Sequence, residues 1–412
     1  MTDTDRAGGT PVRMLRSHPG LARLLLSRCG SAMGYQMQSV AVGWQIYALT
    51  HRPLSLGLVG LAQFLPMLLL IFVAGHVADR FDRRRVAALC QLVEMLGAAC
   101  LAAGAIRHAL TPALIYAVVA LLGAARAFEG PCMQALLPSL VPRSLFPRAA
   151  ALFSSVFQTV TILGPSVGGL LYGIGAPVPF AVCACLFGAA AIGASLIPRR
   201  VPPPREKASL AAVFDGLAFI RARPDILGAI SLDLFAVLLG GATALLPVYA
   251  SDILHAGPFT LGLLRAAPAV GALAVSLLLA RRPIGRRAGL LMFASVAVFG
   301  VATIVFGLSR SLPLSIAALA VLGGADVVSV VVRSSLVQLQ TPDEMRGRVS
   351  AVNMLFIGTS NQLGEFESGT LAALIGPVPA VVLGGVGTLA VALLWMRLFP
   401  TLRRLDRPEG RS

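Results

Sequence analysis

Five of the charged residues within the long apolar segments of this chain could together hold an ion or a polar substrate. Arg126 and Glu129 stand one helical turn apart in "LGAARAFEGP", so they share one face of a helix. Asp326 and Arg333 stand two turns apart in a later segment, and Asp233 lies in a third. An ionised group inside a bilayer costs at least ~2.5–3.5 kcal/mol, so such groups face a cavity or a partner. These five residues predict a mixed-charge cavity. The alternative is that they form buried pairs that only fix helix register.

Other polar residues in apolar segments are candidates for lining a substrate path. Arg265 would bind an anionic group or pair with a carboxylate. Glu365 and Glu367 lie ~24–27 Å along their segment at helical rise, which predicts a position near the outer surface, lining an external mouth or solvated. The uncharged candidates for substrate contact are Gln36, Gln38 and Gln45.

The segments that carry these residues are apolar enough to cross a membrane. Of 412 residues, 57% are hydrophobic and 13% are charged, whereas a soluble domain carries about 25% charge. The mean hydropathy is +0.82. Twelve apolar blocks, the first at 29–49 and the eleventh at 349–376, match the roughly 20 residues that a membrane-spanning helix needs. The fold class predicted is an all-α integral membrane protein with twelve transmembrane helices.

The basic residues predict the orientation of these helices. With both termini on the cytosolic side, the tails and every second loop hold 28 of the 34 basic residues, and the other loops hold three. Such a bias marks the cytoplasmic face. The net charge of +16 therefore needs no nucleic-acid partner, and the lipid bilayer is the expected environment.

The two halves of the chain repeat each other. A shift of 200 residues aligns Gly123 with Gly323 and Gly164 with Gly364, and a shift of 205 aligns "LGLVGLAQFLP" with "LGLLRAAPAVG". Parallel repeats of this kind are typical of two-bundle transporters. The predicted domains are a cytosolic tail (1–20), a first six-helix bundle (21–197), a cytosolic linker with a short amphipathic helix (198–224), a second six-helix bundle (225–399) and a second cytosolic tail (400–412).

Three motifs resemble those of the major facilitator superfamily. "GHVADRFDRRRV", residues 75–86, is similar to the signature of the loop between the second and third helices, with Asp82 where glycine is usual. "LGAARAFEGP" is similar to the Arg-x-x-Gln-Gly element, with Glu129 in place of glutamine. "LGPSVGGLL" looks like the glycine-proline motif of the antiporter branches. Within the superfamily, "FAVLLGGATALLPVYA" and "LVQLQTPDEMRGRVSAV" look most like the enterobactin exporter group.

The resemblance implies two pseudo-symmetric bundles and roles for particular residues. The first, fourth, seventh and tenth helices would line the central cavity, so Arg126 and Asp326, which the 200-residue shift aligns, would face each other across it. Glu94 is on the third helix, which is peripheral in the family, and structural pairing is expected of it. The residues expected to control opening at the cytoplasmic side are Asp79, Arg80, Arg83, Arg346 and Arg348. The glycine-proline motif, which would serve packing or prevent leakage, comprises Gly164, Pro165, Gly168 and Gly169.

The resemblance also implies a function. We expect a monomeric secondary transporter of the bacterial cytoplasmic membrane that exports an amphipathic organic small molecule, such as a siderophore, drug or metabolite, in antiport with protons. Uptake or flipping of a sugar or lysolipid is the alternative. No phosphate-binding Gly-x-x-x-x-Gly-Lys-Ser/Thr loop occurs, so ATP is not the expected energy source. No metal, cofactor or enzymatic activity is expected. No histidine lies deep in a span, so any proton path would use carboxylates.

Overall fold

The protein is helical wherever it is described. The computed structural model describes residues 11–199, 210–282 and 287–406, and every regular element there is a helix. The twelve long helices are α1 Pro19–Thr50, α2 Pro53–Arg80, α3 Arg83–Ile106, α4 Pro112–Leu140, α5 Phe146–Ile174, α6 Pro177–Ser195, α7 Pro224–Ile253, α8 Pro258–Arg281, α9 Ala288–Leu308, α10 Leu312–Gln340, α11 Asp343–Ile375 and α12 Pro377–Leu398. Helix α7 changes to a 3-10 turn after Gly240. Short helices Pro11–Ser17, Leu210–Arg221 and Pro400–Arg403 flank these bundles.

Counted over the described residues, ten of the long helices have the length and hydropathy needed to cross a membrane, and α1 and α11 do not reach that hydropathy. Seven of the twelve begin at a proline. Proline suits the first helical position because its backbone nitrogen carries no hydrogen to leave unbonded and its φ angle is already helical. At the other end, α11 stops before Gly376, whose φ of +92° favours glycine.

Helix α1 begins ten residues before the predicted apolar block. Its first turns are amphipathic: Leu21, Leu24 and Leu25 are buried in a cluster with residues of α3, α4 and α5, whereas Arg23 lies outside that cluster. A search for unbroken apolar runs misses such turns. Helix α11 likewise starts at Asp343 rather than at 349, and this displacement matters for Glu365 below.

The two six-helix halves are built alike. In the first, α2 packs on α4 and α3 on α6; in the second, α8 packs on α10 and α9 on α12. A Cβ on Gly123 of α4 would lie 2.1 Å from the carbonyl oxygen of Gln63 on α2, and one on Gly323 of α10 would lie 2.0 Å from that of Pro268 on α8. The shifts of 200 and 205 residues relate these same positions, so the repeat in the sequence is a repeat of helix contacts.

The halves meet mainly through α2 with α11 and α5 with α8. We call the end where α1 begins the basic end and the end where α1 finishes the opposite end. At the opposite end, one buried apolar cluster contains residues of both halves, including Tyr47 and Tyr249. Three clusters of the basic end contain residues of one half each. Among the described residues, apolar side chains of the two halves therefore pack together at the opposite end, whereas towards the basic end each half has its own apolar clusters.

Candidate functional site

A central cavity of about 120 Å³ lies between the halves, lined by residues of α1, α2, α3, α4, α6, α7, α8 and α11. Much of its wall is apolar, including Val42, Leu56 and Phe187. Four charged residues line it: Glu94, Arg126, Arg265 and Glu365. The uncharged polar residues of the wall are Tyr35, Gln36, Gln38, Ser39, Gln63 and Gln362. A cavity with an apolar body and a few convergent polar groups is the usual form of a small-molecule site.

Arg126 is the centre of the charge cluster on the first half. Its Nη1 lies 3.6 Å from Oε1 of Glu94 and 3.9 Å from Oε2 of Glu129. Its guanidinium carbon lies 3.8 Å from the centre of the Tyr35 ring, a cation–π contact that contributes up to about 2 kcal/mol when water is excluded. The Tyr35 hydroxyl in turn accepts a hydrogen bond of 3.0 Å from Gln63, which holds the ring in place.

Glu129 lies behind this cluster and does not line the cavity. Its Oε1 accepts hydrogen bonds from Ser31 at 2.5 Å and from Gln91 at 2.9 Å. Gln91 is itself hydrogen-bonded to Ser27. The carboxylate is buried but has two donors and a nearby cation, which offset the cost of removing its charge from water.

Glu94 was missed as a site residue by sequence reasoning. It does pair with Arg126, as expected, but it also lines the cavity, although α3 is peripheral in the family. The sequence carries one signal that could have found it. Glu94 is the only acidic residue inside α3, and a membrane carboxylate must point towards either a cation or a polar space.

A second pair of charges comes from the α8 and α11 helices. Nη2 of Arg265 lies 3.9 Å from the position of a Cβ on Gly43 of α1, and Oε2 of Glu365 lies 2.8 Å from that of a Cβ on Gly60 of α2. The two charges share the cavity, yet they form no ion pair within 4.0 Å among the contacts described. The Arg265 Nε is buried without a hydrogen-bond partner there. Arg265 can therefore still bind an anionic group of a substrate or pair with a carboxylate, the two roles predicted for it.

The predicted position of Glu365 near the outer surface is wrong. Because α11 runs 33 residues from Asp343 to Ile375, it is about 50 Å long at helical rise and exceeds the bilayer. Glu365 lines the central cavity and lies against Gly60 of α2, so residue counting from the start of the apolar block does not give its position. Glu367 does not line the cavity; its carboxylate accepts a hydrogen bond of 3.4 Å from Ser368.

The charged residues of α7 and α10 lie at a different pocket. Arg333 donates a hydrogen bond to Asp233, and both are buried. Asp326 and Asp233 line a small pocket between α7, α9 and α10 that also includes Ser295 and Ser329. The expected pairing of Arg126 with Asp326 across one cavity is therefore wrong: the 200-residue shift aligns their backbones, but the two side chains line separate pockets.

Two of the three candidate glutamines of α1 line the cavity, and the third does not. Gln36 and Gln38 both line the cavity. Gln36 donates a hydrogen bond of 3.4 Å to Thr161, whereas Gln38 is 3% exposed and neither polar atom of its side chain has a described partner. Gln45 is not among the lining residues, and its side-chain oxygen accepts a hydrogen bond from Tyr172.

The glycine-proline motif of α5 contacts both halves. Added Cβ atoms on Gly164 and Gly168 would meet α1, at 2.6 Å from Gln36 Cβ and 2.8 Å from Met37 Cα. One on Gly169 would meet α8, at 2.4 Å from the carbonyl oxygen of Pro258. The carbonyl oxygen of Pro165 lies on the same side, 2.7 Å from the position of a Cβ on Gly262 of α8. The motif therefore permits close packing within the first half and across the inter-half contact.

At the basic end, Asp82 acts as the N-cap of α3. It accepts hydrogen bonds from the backbone nitrogen of Arg84 at 3.2 Å and from Arg84 Nε at 2.8 Å. Partial burial raises the pKa of the Asp82 carboxyl, but the hydrogen bond and charge of Arg84 outweigh it and lower the pKa below its ordinary value. The aspartate that replaces the usual family glycine thus has a local structural role.

The residues expected to control opening are described only in part. The side chains of Asp79 and Arg346 lie outside the described residues. Arg80 is exposed, and Arg83 is buried and donates to the Ala135 carbonyl oxygen at 3.4 Å. Arg348 pairs at 3.0 Å with Asp215 of the helix Leu210–Arg221, a contact that sequence reasoning did not anticipate. Their role in opening stays a prediction.

Among the described residues, no three histidine, cysteine, aspartate or glutamate side chains come together as metal ligands. The charged groups of the cavity can instead bind polar groups of an organic molecule or exchange a proton.

Solved transporters share this fold. The chain is similar to a bacterial homologue of the human lysosomal transporter Spinster in an inward-facing, occupied conformation, with a TM-score of 0.77, 14% identity and coverage of 96% of this chain and 99% of that one. It is also similar to the POT family transporter PepTSo, with a TM-score of 0.72, 13% identity and coverage of 94% and 99%. The predicted two-bundle major facilitator fold is confirmed.

Relatives with higher sequence identity than these solved structures are named as exporters. The chain is 28% identical over 409 residues to the enterobactin exporter EntS of Citrobacter koseri, covering 96% of both proteins. It is 27% identical over 405 residues to EntS of Shigella boydii, covering 95% of both. Residues 17–408 match the transmembrane secretion effector family. This protein therefore belongs to the transmembrane secretion effector family, within the major facilitator superfamily of membrane transporters.

Proposed function

We propose that the protein exports an amphipathic organic small molecule across the bacterial cytoplasmic membrane by alternating access, in antiport with protons. The observation that carries this proposal is the central cavity, because its wall combines apolar side chains with buried polar atoms that lack partners. Those atoms belong to Gln38, Glu94, Arg126, Arg265 and Gln362, and none of them has a hydrogen-bond partner among the described residues. Buried polar groups without partners cost free energy unless a ligand or water satisfies them.

The state of the cavity supports alternating access. By the positive-inside rule, the arginine-rich basic end faces the cytosol, with both termini on that side. The halves are joined at the opposite end by the shared apolar cluster and by the contacts of α5 with α8. A cavity closed at the outer end and flanked by separate clusters at the cytosolic end corresponds to an inward-facing transporter. Because the cavity lies between the two halves of one chain, we propose that the monomer is the transporting unit.

The cavity also indicates the class of substrate. Val42, Leu56 and Phe187 would contact an apolar body, and the carboxamides of Gln38 and Gln362 can each donate and accept hydrogen bonds. The similarity to enterobactin exporters supports a siderophore as a first substrate to test. Carboxylates at the cavity wall support a proton as the coupled ion.

Purified protein in liposomes under an imposed pH gradient tests this function. Enterobactin, ethidium, a lysolipid and a disaccharide should be offered separately, with protein-free liposomes and a proton ionophore as controls. We expect enterobactin or ethidium to move against its gradient only while the pH gradient lasts. Transport that ignores the pH gradient would contradict antiport, and movement of only the sugar or the lysolipid would establish uptake or flipping instead.

A further inference from the structure

Two carboxylates flank Arg126, and their surroundings differ. Glu129 accepts two hydrogen bonds and lies behind the cavity wall. Glu94 lines the cavity, is 1% exposed, and neither of its oxygens has a hydrogen-bond partner among the described residues. Its one close cation, Arg126, is at 3.6 Å, an ion-pair distance without a hydrogen bond.

This difference decides which group can exchange a proton. Ionised Glu129 has its hydrogen bonds supplied by Ser31 and Gln91, so protonation would weaken contacts that already exist. Ionised Glu94 has no donor to lose, and a buried carboxylate without donors is the more costly one to keep charged. The Glu94 carboxylate could be stabilised by a proton or by a hydrogen-bond donor of a bound molecule.

The charged groups that act on Glu94 are Glu129 and Arg126 of α4 and Arg28 of α1. From the other helices around the site, α6 packs along α3 but contains no charged residue, and α2 contributes the neutral Gln63. With all four side chains ionised, two positive and two negative charges balance. Protonation of Glu94 leaves this cluster with one net positive charge.

We propose that Glu94 is the carboxyl at which a proton and a donor group of the substrate compete. This inference rests on the proposed function, because it assigns the coupling step of antiport to a residue of that cavity. In the inward-facing state, a hydroxyl or ammonium group of the substrate donates a hydrogen bond to ionised Glu94. After release outside, a proton forms an O–H bond on the same carboxyl, and no other bond is made or broken. Because the Glu94 carboxyl binds either the substrate donor or a proton, but not both, the substrate and the proton cross the membrane in opposite directions.

The same geometry places the other candidate acids in different roles. Asp326 lines the second pocket, and Glu365 lies against Gly60 of α2 at another part of the central cavity wall. Neither is within the Arg126 cluster. The variants Asp326→Asn and Glu365→Gln are therefore matched controls, since each also replaces one membrane carboxyl by its amide.

Infrared difference spectroscopy of the protein in lipid, between acid and alkaline pH, tests the proton site without any substrate. We expect a protonated-carboxyl band that Glu94→Gln removes, that Glu94→Asp retains, and that both controls retain. If the band survives Glu94→Gln, or if a control variant removes it instead, the assignment is wrong. Size-exclusion chromatography and the Glu94→Asp variant separate this result from misfolding.

The competition is tested by adding enterobactin, and separately ethidium, at an acid pH where the band is present. Either probe should reduce the Glu94 band in the wild type, and binding of that probe should weaken as the pH falls. Glu94→Gln should remove this pH dependence. A band that neither probe changes would overturn the competition. A Glu94 band without pH-driven transport in liposomes would instead contradict the proposed antiport and leave the proton site standing.

Discussion

The hydroxyl of Tyr47 on α1 donates a hydrogen bond to the carboxylate of Asp252 on α7, and this bond joins the two halves at the end opposite the arginines. The rings of Tyr47 and His51 are in edge-to-face contact, with the ring centres 5.8 Å apart. Asp252 is exposed and stands in the π-helical turn Tyr249–Ile253 that ends α7. Any opening of the protein at this end must break the contact between Tyr47 and Asp252.

Removal of this hydroxyl should favour the outward-open state. Tyr47→Phe deletes the hydrogen bond, which stabilises the closed outer end by about 1 kcal/mol, so the equilibrium should shift roughly fivefold. Spin labels at Arg107 and Arg310, in loops of the two halves at the opposite end, would report a larger share of long distances. Tyr172→Phe is the control, because Tyr172 bonds to Gln45 within the first half. An equal shift in both variants would contradict the assignment.

A side chain at Gly169 should separate α5 from α8. Any Cβ there would lie 2.4 Å from the Pro258 carbonyl oxygen and 3.0 Å from Gly262 Cα, so backbone must move. Gly169→Val should reduce transport several-fold while the protein remains folded, since the halves can no longer close at the outer end.

Gly173, one turn further along α5, is the control for this change. A Cβ there would meet nothing within 4 Å, so Gly173→Val should transport normally. Transport in liposomes and thiol accessibility at the outer end would measure both variants. If Gly169→Val transports as well as Gly173→Val, the close contact is not needed.

Loss of Asp233 should strongly destabilise the second half. Arg333 would remain buried and charged without its partner, a change that costs about 3–5 kcal/mol. The double variant Asp233→Leu with Arg333→Met should recover much of this loss, because it removes both charges. Asp215→Ala, which breaks the exposed pair with Arg348, should cost less than about 1 kcal/mol. Denaturant unfolding in detergent would rank the three, and equal losses from Asp233→Ala and Asp215→Ala would contradict the argument.

Asp82 should stabilise α3 in a pH-dependent way. Its folded-state pKa is lowered from the ordinary 3.8, so its charge stabilises the protein at neutral pH and this contribution is lost as the pH falls through the lowered pKa. Asp82→Ala removes the cap as well and should cost about 1 kcal/mol. Asp82→Asn keeps a capping side chain, so its difference from the wild type isolates the charge. Unfolding midpoints over a pH series should converge for wild type and Asp82→Asn at acid pH.

Helix number, bundle number and internal repeat were predictable from residue order. A bilayer core demands segments of about 20 apolar residues and forces their backbones into helices, so hydropathy alone counts most spans. The close contacts at Gly123 and Gly323 recur because both halves obey the same packing. Asp82 could be noticed from sequence as a departure from the family, but its cap on Arg84 could be seen only in the folded chain.

The direction and depth of each buried charge depended on packing that no pattern of residues reveals. Asp326 aligns with Arg126 in the repeat yet lines another pocket, and Glu94 reaches the cavity from a helix thought peripheral. Glu365 lines the central cavity, although counting along α11 placed it near the outer surface. Hydropathy is the same for every rotation of a helix about its axis, whereas tilt and rotation are set by contacts with neighbouring helices, such as the space that Gly60 leaves for Glu365.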